Sequence, residues 1–189
     1  MKGRLFIISA PSGTGKTTIS RLLRQRLPGL AVSVSTTSRF PRPGEREGED
    51  YRFVSRRTFR KMLDAGRFAE WAEVYGNYYG TERKFLEEML NRGTDVLLTI
   101  DTQGGLQIKR LFPDALLIGV LPPSLKEQER RIRSRGGISE EEVCRRLEES
   151  RRERKVLMEE YDIRMINRKL PATIARLVVL LSRSRRIGP

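Results

Sequence analysis

Short unbroken apolar runs alternate along the chain with longer stretches in which apolar residues recur every three or four positions. The runs are RLFIIS (4–9), AVSVS (31–35), DVLLTI (95–100), ALLIGVL (115–121) and DIRMI (162–166), each of strand length. Helical periodicity fills the gaps at 16–27, 102–112, 124–135, 139–160 and 171–185. Continuous apolar strands separated by helices predict an α/β architecture, a parallel core sheet covered by helices on both faces.

Two segments break this rhythm. Segment 36–93 opens on TTSRFPRPGEREGEDY, polar and rich in proline, glycine and charge. It continues through YRFVS, a helical SRRTFRKMLDAG, and FAEWAEVYGNYYGT, which mixes short strands with turns. It predicts a small α+β insertion at 36–93 into a core formed by 1–35 and 95–189. Segment 136–155 holds few apolar residues beyond Ile138, Val143 and Leu147 amid dense charge, and predicts an exposed, mobile helical lid. The C-terminal IARLVVLLSRSRRIGP reads as an amphipathic helix whose apolar face packs on the core rather than on a membrane.

Composition narrows the partners. The 189 residues suit one domain with a sizeable core and a small inserted subdomain. No apolar run reaches the roughly 18 residues of a membrane-spanning helix, so no membrane partner is expected. The N-terminal apolar run lacks a cleavage-like small-residue site and reads as a first strand rather than a signal peptide. The single cysteine, Cys144, suits a reducing, cytoplasmic setting. A net charge of +14 favours an anionic partner. Zinc-finger spacing, a long basic tract and an aromatic-rich RNA-binding motif are all lacking, so no specific nucleic acid is expected. With no histidine in the chain, an imidazole base and histidine-containing zinc sites are excluded.

The chemistry begins at IISAPSGTGKTT (7–18). In the pattern G-x-x-x-x-G-K-[ST], glycines let main-chain N–H groups wrap a β-phosphate, the lysine reaches the β/γ oxygens and the hydroxyl meets Mg²⁺. Gly13, Gly15, Lys16 and Thr17 stand in that register, after a strand and before a helix. Ala10 occupies the pattern's first glycine, at the strand end, where phosphate contact is not required. A nucleoside triphosphate is therefore expected here, and its acceptor is sought in the insertion. Arg39 and Arg42, three residues apart in the proline-punctuated SRFPR, predict a bidentate phosphate clamp, with hydroxyls of Tyr51 and Tyr79 as neutral donors. Glu70, beside Trp71, is a candidate buried carboxylate in need of a partner. The guanine edge, with N1–H and N2–H₂ side by side, supplies two donors, whereas adenine would present an acceptor. A site built on such hydrogen bonds rejects the wrong base by roughly 10⁴-fold.

SAPSGTGKTT, SVSTTSRFPRPGE, GEDYRFV, EWAEVYGNYYGT, TIDTQG, PPS…RRIRSRG and EEEVCRRL together resemble the guanylate kinase family, from about Leu5 to about Asn167. The resemblance implies the phosphate-loop NTPase fold with an NMP-binding insertion and a helical lid. It also implies transfer of the ATP γ-phosphate to GMP with Mg²⁺, with dGMP as a further candidate acceptor. Ser12, Gly13, Thr14, Gly15, Lys16, Thr17 and Thr18 would bind the ATP phosphates, with Thr17 toward Mg²⁺ and Asn167 toward the adenine. Ser35, Arg39, Arg42 and Tyr51 would hold the GMP phosphate with help from Tyr79. Glu70 and Thr81 would read the guanine edge, with Asp101 close by. Arg131, Arg135 and Arg146 would close over the triphosphate. With Lys16 and Arg39, they form the expected catalytic set.

The chain departs from the family in places. Thr99-Ile100-Asp101 stands where many members carry Asp-Ile-Asp, so a hydroxyl replaces a charge near the expected Mg²⁺ water shell. Thr37-Ser38-Arg39 replaces Thr-Thr-Arg, and Asn167-Arg168-Lys169 replaces Asn-Asp-Asp. A phosphate monoester has a second pKa of about 6 and is largely dianionic at neutral pH, so the acceptor needs no base, consistent with a chain without histidine. Three rivals share parts of the pattern. They are another small-molecule kinase of this architecture, a guanylate-kinase-like interaction module without catalysis, and a basic nucleic-acid-binding ATPase.

Overall fold

The computed structural model describes residues 2–134 and 137–183. The chain divides into two compact units, one of Met1–Ile7 with Gly29–Ala115 and the other of Ile8–Pro28 with Leu116–Pro189. Strand β1 (Leu5–Ser9) passes from the first into the second.

The first unit carries β2 (Leu30–Val32), parallel to β7 (Asp95–Ile100). Val96, Leu97 and Leu98 of β7 are fully buried, as the unbroken apolar run requires. Its second sheet has the order β4-β3-β6-β5, from β3 (Thr36–Thr37), β4 (Arg52–Phe53), β5 (Phe68–Val74) and β6 (Asn77–Glu82). Helix α2 (Arg56–Asp64) is capped by Ser55, whose hydroxyl accepts from the Thr58 amide. It buries Phe59 and Met62 against Phe68, with the Phe59 and Phe68 rings stacked at 4.5 Å. Helix α3 (Arg83–Asn91) packs Leu86 and Leu90 toward β7, and α4 (Thr102–Leu111) packs on β5.

The second unit holds α1 (Lys16–Arg26), β8 (Leu116–Leu121) parallel to β9 (Ile163–Ile166), α5 (Leu125–Arg133), α6 (Glu140–Glu160) and α7 (Leu170–Arg183). Ile19 and Leu23 on α1 are one helical turn apart and fully buried, and α7 packs Ile174, Leu177 and Leu181 on the same side. That is the core-facing role expected of the C-terminal helix; residues 184–189 lie outside the described residues. The core strands join in the order β2-β7-β1-β8-β9, the α/β sheet expected from the apolar runs. Among the described residues no helix is long and apolar enough to cross a membrane.

Three expectations need correction. The strand expected over 31–35 ends at Val32, because Ser33, Val34 and Ser35 carry the chain out of one sheet toward Thr36 of the other. Helix α3 was not anticipated, because its apolar positions lie among charges at the end of a segment read as strands and turns. The stretch expected to be exposed throughout 136–155 buries Val143 and Ser150, which continue to Leu157 at seven-residue spacing along α6. That stripe seats α6 on α5 and β8. Ser139 caps α6, and Glu140, Glu141 and Glu142 fill its first turn, so the charge that suggested full exposure partly serves the helix N-terminus.

Candidate active site

In the second unit the turn from β1 into α1 places Gly13 at φ 79° and Gly15 at φ 98°, a backbone region open to glycine at little cost. Gly13 also lies close under α5: a Cβ there would stand 2.9 Å from Ile132 Cγ1 and 3.1 Å from the Gln128 carbonyl oxygen. The glycines thus serve both the turn and the packing. Helix α1 opens at Gly15 with no side-chain cap and no acidic residue in its first turn, whereas Ser55, Asp101, Ser124 and Ser139 cap α2, α4, α5 and α6. Its first N–H groups and positive dipole end are therefore open to an anion. Among the described residues the buried Thr14 hydroxyl has no hydrogen-bond partner. Gly13, Thr14, Gly15, Thr18, Arg131, Asn167 and Leu170 line one cavity.

The other residues expected around the triphosphate take varied places. Lys16 is half-buried and Thr17 exposed at the start of α1. Arg131 Nε donates to Glu127 Oε1 at 2.8 Å. Arg130 and then Arg131 lower the Glu127 carboxyl to about 2, so it stays charged in neutral solution. Arg146 Nε donates to Glu142 Oε1 at 2.7 Å on α6. Arg135 lies outside the described residues. Asn167, expected toward the adenine, is buried as a brace. Its Nδ2 donates to the Thr14 carbonyl at 2.9 Å, and its Oδ1 accepts from the Thr173 hydroxyl at 3.0 Å. Sequence reasoning missed a second brace, Gln128, fully buried on α5, whose Nε2 donates to the Ser12 carbonyl at 2.7 Å and to Ser150 Oγ at 2.5 Å. Nothing in the charged stretch around it signals a buried amide.

In the first unit the register of β5 and β6 builds a face. Phe68 pairs with Glu82 and Glu70 with Thr81, so β5 spends two steps where β6 spends one, a bulge at Ala69. A bulge re-aims the side chains that follow it. Phe68 joins the cluster with Phe59 and Met62, while Glu70 lies against Gly104 of α4. Glu70, only 3% exposed, accepts at Oε1 from the fully buried Thr81 hydroxyl at 2.6 Å. Cross-strand register puts Tyr79 two residues along from Thr81, on the same face. Asp101, half-buried, caps α4 by accepting from the Gln103 and Gly104 amides at 2.8 and 3.1 Å. Ser35 is buried where its carbonyl accepts from the Arg52 amide at 2.9 Å.

Arg39 joins this face. Its Nε donates to Tyr79 Oη at 3.2 Å, Nη1 to the Phe40 carbonyl at 2.6 Å, and Nη2 to Glu45 Oε1 and Oε2 at 2.9 and 2.8 Å. Its guanidinium also sits 5.4 Å from the Tyr51 ring centroid. Burial pushes the Tyr51 phenol up to about 12, so it remains a donor at neutral pH. Glu45 is brought back by a turn. Pro43 and Gly44, the latter at φ 83°, suit the two central positions of a type II turn, and the Glu45 amide donates to the Arg42 carbonyl at 3.0 Å. Glu45 Oε2 also accepts from the Arg42 amide at 2.9 Å, while the Arg42 side chain stays exposed. The paired arginine clamp is thus unequal, one arm held by an internal carboxylate and the other out in solvent. The Pro-Gly turn signal directly after Arg42 was the clue to Glu45.

A glycine loop on an uncapped helix in an α/β fold defines a phosphate-loop nucleotide-binding protein. A family model described as guanylate kinase matches residues 2–184. A guanylate kinase of Aromatoleum aromaticum is 46% identical over 185 residues, covering 98% of this chain and 90% of that protein. One of Shewanella violacea is 45% identical, covering 98% and 89%. The crystal structure of guanylate kinase from Anaplasma phagocytophilum superposes with a TM-score of 0.82 at 32% identity, covering 99% of this chain and 88% of that one. The chain belongs to the guanylate kinase family.

Proposed function

We propose that this protein transfers the γ-phosphate of ATP to GMP, giving ADP and GDP. The observation that carries the reading is the β5–β6 face, where a buried carboxylate with a hydroxyl beside it shares one surface with an arginine and two tyrosines. Glu70 and Thr81 would take the guanine edge. Arg39, Arg42, Ser35, Tyr51 and Tyr79 would take the phosphate, and segment 36–93 would be the acceptor lobe. The uncapped N-terminus of α1, Ser12 to Thr18 and Arg131 would take the triphosphate, with Lys16 on its β/γ oxygens and Asn167 steadying the loop. Arg135, Arg146 and segment 136–155 would close over it.

Among the described residues no three acidic or cysteine side chains gather as a metal site. The exposed Thr17 hydroxyl suits a Mg²⁺ ion that arrives on the triphosphate and keeps most of its water. There Thr17 would hold the ion, which would supply charge neutralisation at the phosphates. In the transfer itself an oxygen of the dianionic GMP phosphate bonds to the γ-phosphorus as the bond to the β–γ bridging oxygen breaks, and that electron pair leaves with ADP. No base is required, and the protein's task is charge compensation and alignment. The single cysteine supports a cytoplasmic setting.

ADP release measured across the four nucleoside monophosphates tests this: GMP alone should give rapid turnover. In the same assay Glu70→Gln should lower kcat/KM for GMP by about 10²-fold and narrow the gap to AMP, since hydrogen bonds to a charged group contribute roughly 1.5–3 kcal/mol. No turnover with GMP would end the proposal; an unchanged preference in the variant would remove Glu70 from the base site.

A further inference from the structure

We infer that Gly104 sets base selectivity by leaving room for the Glu70 carboxylate. The inference rests on the reading of Glu70 just given. Gly104 is buried in α4, followed by a second glycine, in a helix where glycine is a poor choice on propensity alone. A Cβ at this position would stand 2.4 Å from Glu70 Oε2 and 3.0 Å from Glu70 Cδ. The carboxylate therefore occupies the volume that any other residue's Cβ would need.

Either the helix or the carboxylate would have to yield. Helix α4 is pinned to β5 one turn further on. Gln107 Oε1 accepts from the Trp71 amide at 3.3 Å and Nε2 donates to the Trp71 carbonyl at 2.9 Å, so its carboxamide bonds to the edge of β5 as a neighbouring strand would. The start of α4 is held by the Asp101 cap, which bonds the Gly104 amide itself. A retreat of the helix would strain bonds at both ends of this turn, whereas the atom that clashes is the far end of a flexible side chain. The Glu70 carboxylate is the part that moves, away from the position set by Thr81. Gly104 is thus a positioning residue that acts through Glu70 and touches no substrate.

The test compares the native chain, Gly104→Ala and Glu70→Asp/Gly104→Ala in steady-state assays with GMP and AMP at varied ATP. In Gly104→Ala, KM for GMP should rise and kcat/KM for GMP should fall on the order of 10²-fold, the scale of an ångström-sized misplacement. KM for ATP and the turnover of AMP should stay unchanged, while the melting temperature should fall modestly, since displacing a buried carboxylate from its Thr81 hydrogen bond outweighs the better helix propensity of alanine. The aspartate, one methylene shorter, should withdraw from the new methyl and recover part of the GMP:AMP discrimination. A folded Gly104→Ala with native GMP KM and native discrimination overturns the inference, as does an equal loss toward ATP and GMP. If Gly104→Ala does not fold, recovery of folding in the double variant supports the carboxylate clash, and failure to recover overturns it. Loss of selectivity in Glu70→Gln without loss in Gly104→Ala sinks this inference alone and leaves the proposed function standing.

Discussion

The loop at Gly13–Thr18 and the face around Arg39 both suit phosphate, by opposite means. The loop relies on main-chain donors at an uncapped helix end and on two glycines at positive φ, beside a Thr14 hydroxyl that has no partner among the described residues. The Arg39 face relies on side chains, and these are already committed to Tyr79, Phe40 and Glu45. A main-chain cradle recognises the phosphate common to all nucleotides and is ready for it. A side-chain cluster whose charge is internally balanced must exchange one anion for another, and that exchange lets neighbouring groups influence which ligand wins. On the proposed reading, generic grip and selective grip would fall to different kinds of chemistry.

Separating the two should be easiest at the loop. Lys16→Ala removes the cation expected at the β/γ oxygens, so turnover should fall on the order of 10³-fold while KM for GMP changes little. Pre-steady-state ADP release with GMP titrated at saturating ATP measures both, and a matching rise in GMP KM would show that the regions do not act separately. A smaller effect is expected at Glu45→Gln. It removes the internal anion that GMP must displace from an enclosed pair, so GMP should bind about threefold tighter, with a steeper salt dependence. Titration calorimetry at two ionic strengths would detect this, and weaker binding would instead make Glu45 a support for Arg39. A last effect, outside the neutral range, concerns Tyr51, whose phenol pKa rises from 10.0 to about 12, chiefly through burial. The folded chain holds that proton where the unfolded chain has released it. Its contribution to stability is complete below pH 10.0 and declines as pH rises through about 12. Thermal melts across that window should show a shallower alkaline decline in Tyr51→Phe than in the native chain.

The phosphate loop was fully legible because everything it needs is contiguous: strand, glycines, lysine and helix follow within a dozen or so residues, and φ preferences are local properties. The strands and helices of the core were legible for the same reason, down to Ser124 and Ser139 as helix starts. The inserted face was legible in its residue types but not in its arrangement. Arg39 and Arg42 looked equivalent by spacing, yet one is enclosed by Glu45 and the other is exposed. Asn167 looked like a base contact, and its place between Thr14 and Thr173, in the lining of the loop's cavity, was not legible. Helix α3 and the buried stripe of α6 escaped because a few apolar residues among many charges carry weak periodicity.

By itself the sequence determined an α/β chain with a triphosphate loop, an inserted segment rich in anion-binding side chains, and no imidazole for catalysis. Tertiary structure alone decided which way Glu70 points, through the bulge at Ala69, and how much space it has there, through Gly104 on a helix pinned by Gln107. The physical reason is distance along the chain. Backbone preferences act over a few residues, whereas the position of a buried carboxylate is set by strand register and by a missing methyl group more than thirty residues away, neither of which any local pattern encodes.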